Sequence, residues 1–266
     1  MTKSKEPDES MVRHMILNSI RMYRSQFNKD YGEIVLTYDS KHYWRRDFFP
    51  NYKAGRRKGR EKDSKDWDLI FGVLNKIKAE FKENLPYKYL EVYGAEADDI
   101  IATLCKNFCN DDKIMIVSGD KDFIQLQFYK NVEQYAPIQK KFIGFDEDGI
   151  KIDPKEFLLE QILKGDRSDG IPNILSPNDS FVTGIKQKPM TKKRLEECSV
   201  TDNLDEQLSA RYNENKKLID LNQIPQVYED AIINSYRSYK VNDRSKLLTY
   251  FIENKLKSLM ENIGDF

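Results

Sequence analysis

The chain has 266 residues, 39% apolar and 33% charged, with 44 Lys and Arg balancing 44 Asp and Glu. That length suffices for one sizeable core or for a core with a smaller lobe. No apolar run approaches a membrane span, and the opening Met1-Thr2-Lys3-Ser4-Lys5 lacks the apolar segment of a signal peptide. The three cysteines, Cys105, Cys109 and Cys198, make no disulfide framework, so a reducing cytoplasm is expected. A net charge of zero excludes little, because a nucleic-acid-binding field needs only a local basic excess.

From Met11 to about Phe27, Val12, Met15, Ile16, Ile20 and Tyr23 recur at helical spacing, with Ser10 as a candidate N-cap. The β-branched run Ile34 to Tyr38 predicts a buried strand ending on Asp39. Residues 41–66 are aromatic, then densely basic, with little periodicity. Trp67, Phe71, Leu74, Ile77 and Phe81 predict a second helix, ended near Pro86. A second strand, Tyr87 to Val92, leads into Glu96-Ala97-Asp98-Asp99 and a helix carrying Ile100, Ile101, Leu104 and Phe108. A third, Lys113 to Val117, leads into Ser118-Gly119-Asp120-Lys121-Asp122, and residues 131–145 suggest a short pair of strands. Beyond Asp153-Pro154 the chain reads as helical to its end. Alternating strands and helices imply an α/β domain with a mainly parallel sheet over 1–150, followed by a helical lobe over 151–266.

Sites in open sheets of this kind form outside the carboxyl ends of the strands. Here each expected strand ends on acid: Asp39; Glu96, Asp98 and Asp99; Asp120 and Asp122. Carboxylates gathered in a partly dry cleft repel one another unless cations neutralise them. Oxygen ligands without a His or Cys set select a hard ion, Mg²⁺ or Mn²⁺, and two such ions suit phosphodiester hydrolysis. A single Asp after a strand is more often a helix cap or turn residue, as Asp111 and Asp112 are expected to be. Receiver and phosphatase-like folds also collect Asp at strand ends. Cys105 and Cys109, one helical turn apart, read as core residues.

The segment after the first strand interleaves Arg45, Arg46, Lys53, Arg56, Arg57, Lys58 and Arg60 with Tyr43, Trp44, Phe48, Phe49 and Tyr52. Arg and Lys on phosphates, with aromatic faces for unstacked bases, grip single strands. A solvated charged loop is the bland alternative. Lys186, Lys188, Lys192 and Lys193 form a second basic stretch, suited to a duplex backbone or to a plain solvated helix end.

Ile34 to Asp39, Tyr43 to Phe48, Glu96-Ala97-Asp98-Asp99, Ser118 to Phe123 and Gly165-Asp166-Arg167-Ser168-Asp169-Gly170-Ile171-Pro172 follow one another as in the flap endonuclease/5′-3′ exonuclease superfamily, which the chain resembles over nearly its whole length. The resemblance implies a PIN-like 5′-nuclease fold with a helix–three-turn–helix element over about 156–187. It implies a first metal among Asp39, Glu96, Asp98 and Asp120 and a second near Asp122, Asp166 and Asp169. Arg45 and Lys53 match residues expected to touch the scissile phosphate, at the base of an arch formed by roughly residues 53–66. Gly170 and Asn173 depart from the family's usual Asp-Asn-Ile-Pro-Gly turn.

Implied with it are two Mg²⁺ ions, with Mn²⁺ substituting, and RNA–DNA hybrids, 5′-flaps or nicked duplex DNA as substrates. Primer removal in phage replication, in the cytoplasm of the infected host, is the expected setting. A monomer without membrane association is expected, with a single-strand-binding protein and a sliding clamp as candidate partners. Relatives begin with a further strand bearing a metal-ligand Asp, which has no counterpart in residues 1–10. The expectation is a site short of one carboxylate, open strand edges at Ile34–Tyr38 and Lys113–Val117, and weak cleavage by this chain alone. A non-catalytic structure-specific DNA-binding protein is the alternative. A small single-domain ribonuclease of the PIN type fits less well with the long helical half.

Overall fold

The computed structural model describes residues 8–266, with the side chains of Arg57 and Lys58 outside the described set. In chain order it contains α1 (Glu9–Tyr31), β1 (Val35–Thr37), α2 (Trp44–Phe48), α3 (Ala54–Glu61), α4 (Trp67–Asn84), β2 (Lys88–Leu90), α5 (Ala97–Phe108) and β3 (Ile114–Val117). A 3₁₀ helix, Lys121–Phe128, leads to β4 (Val132–Ala136), β5 (Lys141–Ile143), α6 (Pro154–Lys164) and α7 (Ser180–Thr183). Then come α8 (Lys192–Ser199), α9 (Glu206–Ile219), α10 (Gln226–Ser238), α11 (Arg244–Glu253) and α12 (Lys257–Met260). Among the described residues no helix is long and apolar enough to cross a membrane.

Two compact units result, each discontinuous in sequence, so compactness divides the chain differently from 1–150 and 151–266. One comprises residues 1–38, 63–90 and 234–266; the other comprises 39–62 and 91–233. In the first unit β1 pairs with β2 in parallel, Leu36 opposite Tyr89. Its core joins Leu17 and Ile20 of α1 to Ile77 and Phe81 of α4, and to Leu247, Phe251 and Phe266 near the C-terminus. The buried Arg13 ties α1 to α4 through Glu80 at 2.7 Å. Asp8 caps α1, accepting from the amides of Ser10 and Met11, so Ser10 is not the cap.

In the second unit β3 pairs in parallel with β4, and β4 antiparallel with β5. The expected mainly parallel sheet is therefore two small sheets, β1–β2 and β3–β4–β5. Among the described residues β1 is paired with β2 alone and β3 with β4 alone. Cys105 of α5 and Cys109 at its C-cap pack with Ile116, Phe123 and Val132, in the core role expected of them. A further cluster joins Phe49 and Tyr52 to Ile162, Ile171 and Leu218, which seats the start of the basic segment on α6 and α9. That segment is not irregular: it holds α2 and α3, which the lack of apolar periodicity concealed.

Candidate metal-dependent nuclease site

Each acidic segment is held by a backbone amide. Asp39 follows β1 and accepts from the amide of Ala97 at 2.8 Å. Asp120 caps the 3₁₀ helix, accepting from the amide of Asp122 at 3.0 Å. Asp166 closes the turn after α6, accepting from the amide of Ser168 at 2.7 Å. In all three, one named oxygen is spent on a peptide N–H, which fixes the carboxylate and leaves the second oxygen for a cation. The fully buried Gln134 of β4 steadies the Asp120 loop, donating to the carbonyls of Ser118 and Asp120 at 2.8 and 2.5 Å.

Asp98, Asp120, Asp122, Asp166 and Asp169 line one cleft together with Lys53 and Arg56. Burial pushes the Asp98 carboxyl up to about 7; Lys53 opposes this, and Glu96, Asp120 and Asp39 add to it. Burial likewise pushes Asp122 up to about 6, reinforced by Asp120 and Asp166. The structure thus brings the acids from the three strand ends, together with the Asp166–Asp169 turn, into mutual repulsion, the condition a divalent cation relieves. Gln161 of α6 donates to Asp122 at 2.5 Å, and its own carbonyl oxygen is buried without a partner. An orphaned oxygen beside an all-oxygen donor set fits a hydrated hard ion. Among the described residues no three acidic, His or Cys side chains are drawn together as a metal-holding group.

Basic side chains occupy two of the expected ligands. Glu96, buried at the N-terminus of α5, accepts from Lys53 Nζ at 2.5 Å, Arg45 at 2.9 Å and the Tyr52 hydroxyl at 3.0 Å. The same Tyr52 hydroxyl lies 2.8 Å from Asp169, so its single proton serves one of the two carboxylates at a time; Asp169 also accepts from Arg56 at 2.6 Å, and its carbonyl takes the Lys53 amide at 2.7 Å. For Lys53, burial opposes the charge but Asp169 and Glu96 outweigh it, so its pKa is raised and it stays an ammonium. Lys53 itself has a left-handed backbone, φ 57°. Gly170, φ 77°, lies where an added Cβ would come within 3.0 Å of the Asn51 carbonyl. Glycine at that position, a departure from the family's usual turn, permits this close seating of the arch base on the Asp169 turn.

Arg45 is placed differently from the sequence expectation. It is 2% exposed, and its guanidinium donates to Glu96, to Asp99 at 2.7 Å and to the Leu218 carbonyl at 2.8 Å. With three of its five N–H groups engaged in the interior, it acts in this structure as a positioning residue for Glu96 and Asp99. Asp99 is fully buried, accepts from Trp44 at 3.2 Å and completes the capping box of α5 with Glu96, so it belongs to the scaffold. Lys53 does line the cleft.

Of the expected nucleic-acid contacts, Arg46 is exposed and lies over the Tyr43 ring at 4.6 Å. Arg56 and Arg60 project from α3, and Arg57 and Lys58 lie outside the described side chains. Lys186 and Lys188 are exposed between α7 and α8, and Lys192 and Lys193 are exposed at the start of α8. Tyr52, Gln134 and Gln161 were not foreseen in these roles. Their partners are remote in sequence, and only the aromatic character of Tyr52 in a basic segment hinted at function.

Residues 2–156 match the family model described as the 5′-3′ exonuclease N-terminal resolvase-like domain, and residues 154–266 match the T4 RNase H C-terminal domain. The chain is 37% identical to the ribonuclease H of Enterobacteria phage T4 over 97% of its own length and 87% of that protein's. It is 27% identical to the flap endonuclease Xni of Shewanella oneidensis, covering 76% of this chain and 75% of that one. In fold it is similar to the flap endonuclease of bacteriophage T5 solved with DNA and metal ions: TM-score 0.60 at 17% identity, covering 89% and 91% of the two chains. The same phage's 5′-exonuclease has been solved with zinc, TM-score 0.59 at 17% identity over 88% and 91% of the chains. The chain therefore belongs to the metal-dependent 5′-3′ exonuclease family and is a hydrolase of phosphodiester bonds.

Proposed function

We propose that the chain cleaves 5′-ended nucleic acid, including RNA in RNA–DNA hybrids and 5′-flaps, with two Mg²⁺ ions held by the acidic cleft. The observation that carries this is the convergence of Asp98, Asp120, Asp122, Asp166 and Asp169 on one cleft also lined by Lys53 and Arg56. Asp39, Glu96, Asp98 and Asp120 would hold one ion, and Asp122, Asp166 and Asp169 the other, partly through water. Bound there, the ions supply Lewis acidity and a water acidic enough to be deprotonated near neutral pH.

The chain's own residues do the rest. Gln161 orients Asp122, Gln134 fixes the Asp120 loop, and Arg45 with Tyr52 sets the position of Glu96. Lys53, once released from Glu96, is an ammonium in the cleft lining, available to charge developing on a reacting phosphate. In-line attack by water leaves a 5′-phosphate on the product. Action as a monomer in primer removal, in the host cytoplasm of a phage and beside a single-strand-binding protein or clamp, belongs to the same reading.

The test is cleavage of end-labelled 5′-flap and RNA–DNA hybrid duplexes by the purified chain, with Mg²⁺ and with EDTA. Mg²⁺-dependent release of 5′-terminal products supports the reading; metal-independent cleavage rejects it. A second reading, a non-catalytic structure-specific DNA-binding protein, is favoured by one observation: Glu96 and Asp169 are already neutralised by Lys53, Arg45 and Arg56. Tight flap binding with no turnover at any divalent concentration would select it.

A further inference from the structure

Tyr93 is the conspicuous aromatic of the second unit. It is 76% exposed, and its ring stacks on His42 with centroids 5.4 Å apart and planes 22° from parallel. An exposed tyrosine buries little area, so the arrangement contributes little to folding. Its geometry is nevertheless fixed. His42 Nε2 lies 2.9 Å from Asp47 Oδ2, which holds the plane of the imidazole. The Gly94 carbonyl accepts from the Trp44 amide at 2.9 Å, and the Ala95 carbonyl accepts from the Ser40 amide at 3.1 Å. Gly94 takes φ 84° where any Cβ would strike the Tyr228 ring at 2.1 Å, so the turn that presents Tyr93 requires glycine.

Position gives this stack its meaning. His42 is three residues beyond Asp39, and Tyr93 three residues before Glu96, so each lies within roughly 11 Å of an expected metal ligand, Cα to Cα, even with the chain fully extended. Lys41 and Arg46, both exposed, stand one residue before and four residues after His42 in the sequence and offer charge to a phosphate. A rigid exposed ring with a second ring beneath it, and with exposed cations on the same segment as His42, has the chemistry of a base-stacking platform.

We propose that the Tyr93–His42 stack binds one unpaired nucleobase of the substrate next to the metal cleft. The platform favours single-stranded nucleic acid without regard to sequence, since every base offers a π-face. The proposal rests on the nuclease reading above and adds to it a subsite for the unpaired strand.

The probe is a dye-labelled duplex with a short single-stranded oligothymidine 5′-arm, followed by fluorescence anisotropy in EDTA so that nothing is cut. Tyr93→Ala should weaken binding at least about fivefold, the lower end for loss of one base–aromatic stack. Tyr93→Phe should bind as the wild type does, and binding of the same duplex without its arm should be unchanged by either substitution. In the wild type, an abasic residue at one position of the arm should reproduce the loss, and it should not add to that of Tyr93→Ala. Equal losses on armed and armless duplexes, full additivity, or indifference of the wild type to an abasic residue at every position would overturn the proposal. Failure of the wild type to bind any of these duplexes would instead count against the nuclease reading.

Discussion

Replacing Arg45 with methionine keeps most of the side-chain volume and removes the charge that three buried acceptors share. Asp99, with no exposure, would retain only the neutral donors Trp44 Nε1 at 3.2 Å and the Glu96 amide at 2.9 Å. Glu96 would still be held by Lys53 and Tyr52. Removing one partner of a buried ion pair costs about 3–5 kcal/mol, because the remaining charge stays in low dielectric. Against a total stability of about 5–15 kcal/mol this is a large fraction. At roughly 2–4 °C per kcal/mol for chains of similar size, the melting temperature should fall by about 6–20 °C. Thermal unfolding followed by circular dichroism measures the fall in melting temperature, and urea unfolding measures the loss of free energy. Arg46→Met, at the exposed neighbour, should stay within about 0.5 kcal/mol of the wild type. An Arg45→Met protein with wild-type urea midpoint but no cleavage would refute the reasoning, since it would show Arg45 acting on the substrate rather than on Glu96 and Asp99.

Lys53→Ala should lower the single-turnover cleavage rate more than flap affinity, whereas Lys192→Ala with Lys193→Ala should weaken binding and reduce its salt slope by about one unit per lost contact. The same pattern in both variants would reject the division between cleft and duplex grip. Arg56→Gln removes a competitor for Asp169, so calorimetry without DNA should show Mn²⁺ binding about two- to fivefold tighter, the equivalent of a partly exposed pair worth up to ~1 kcal/mol. Unchanged affinity would show that the ion pair does not compete. Asp98 is raised on folding to about 7, so the folded state binds its proton more tightly than the unfolded state. Its contribution to metal-free stability must therefore fall as pH rises from the ordinary carboxylate value of about 3.9 toward 7. Melting temperatures in EDTA at about pH 5 and 7.5 should show a downward component in the wild type that Asp98→Asn lacks; identical slopes would contradict the placement of Asp98.

The parts of the site that sequence made legible are those carried by local pattern. β1, β2 and β3 are short β-branched or aromatic runs closed by acids, and α4 announces itself through Trp67, Phe71, Ile77 and Phe81. The strand ends on Asp39, Glu96 and Asp120 follow from the same pattern. What stayed hidden depends on distance or orientation. Arg45 and Arg46 are chemically alike and adjacent, yet one short helix turn buries the first beneath Leu218 and leaves the second in solvent. Nothing local separates them. α3 is Ala-Gly-Arg-Arg-Lys-Gly-Arg-Glu, with two helix-weakening glycines and no apolar stripe, and it starts from a left-handed Lys53. The Tyr52–Asp169 and Gln161–Asp122 contacts join positions 117 and 39 residues apart, which only the fold brings together. The division into two small sheets follows from strands of three to five residues, too short for their pairing partners to be read from composition.

The central claim is that this acidic cleft is a divalent-metal nuclease centre, and Asp120 is the residue on which to test it. Asp120→Asn keeps an oxygen for the Asp122 amide and removes the charge a cation needs. Single-turnover cleavage of an end-labelled 5′-flap in Mg²⁺ should be measured for the wild type and this variant, with flap binding measured alongside. The account predicts Mg²⁺-dependent cleavage by the wild type, loss of turnover in Asp120→Asn, and binding that is retained or tighter as repulsion toward phosphate falls. Cleavage by Asp120→Asn at the wild-type rate, or wild-type cleavage indifferent to EDTA, would contradict it.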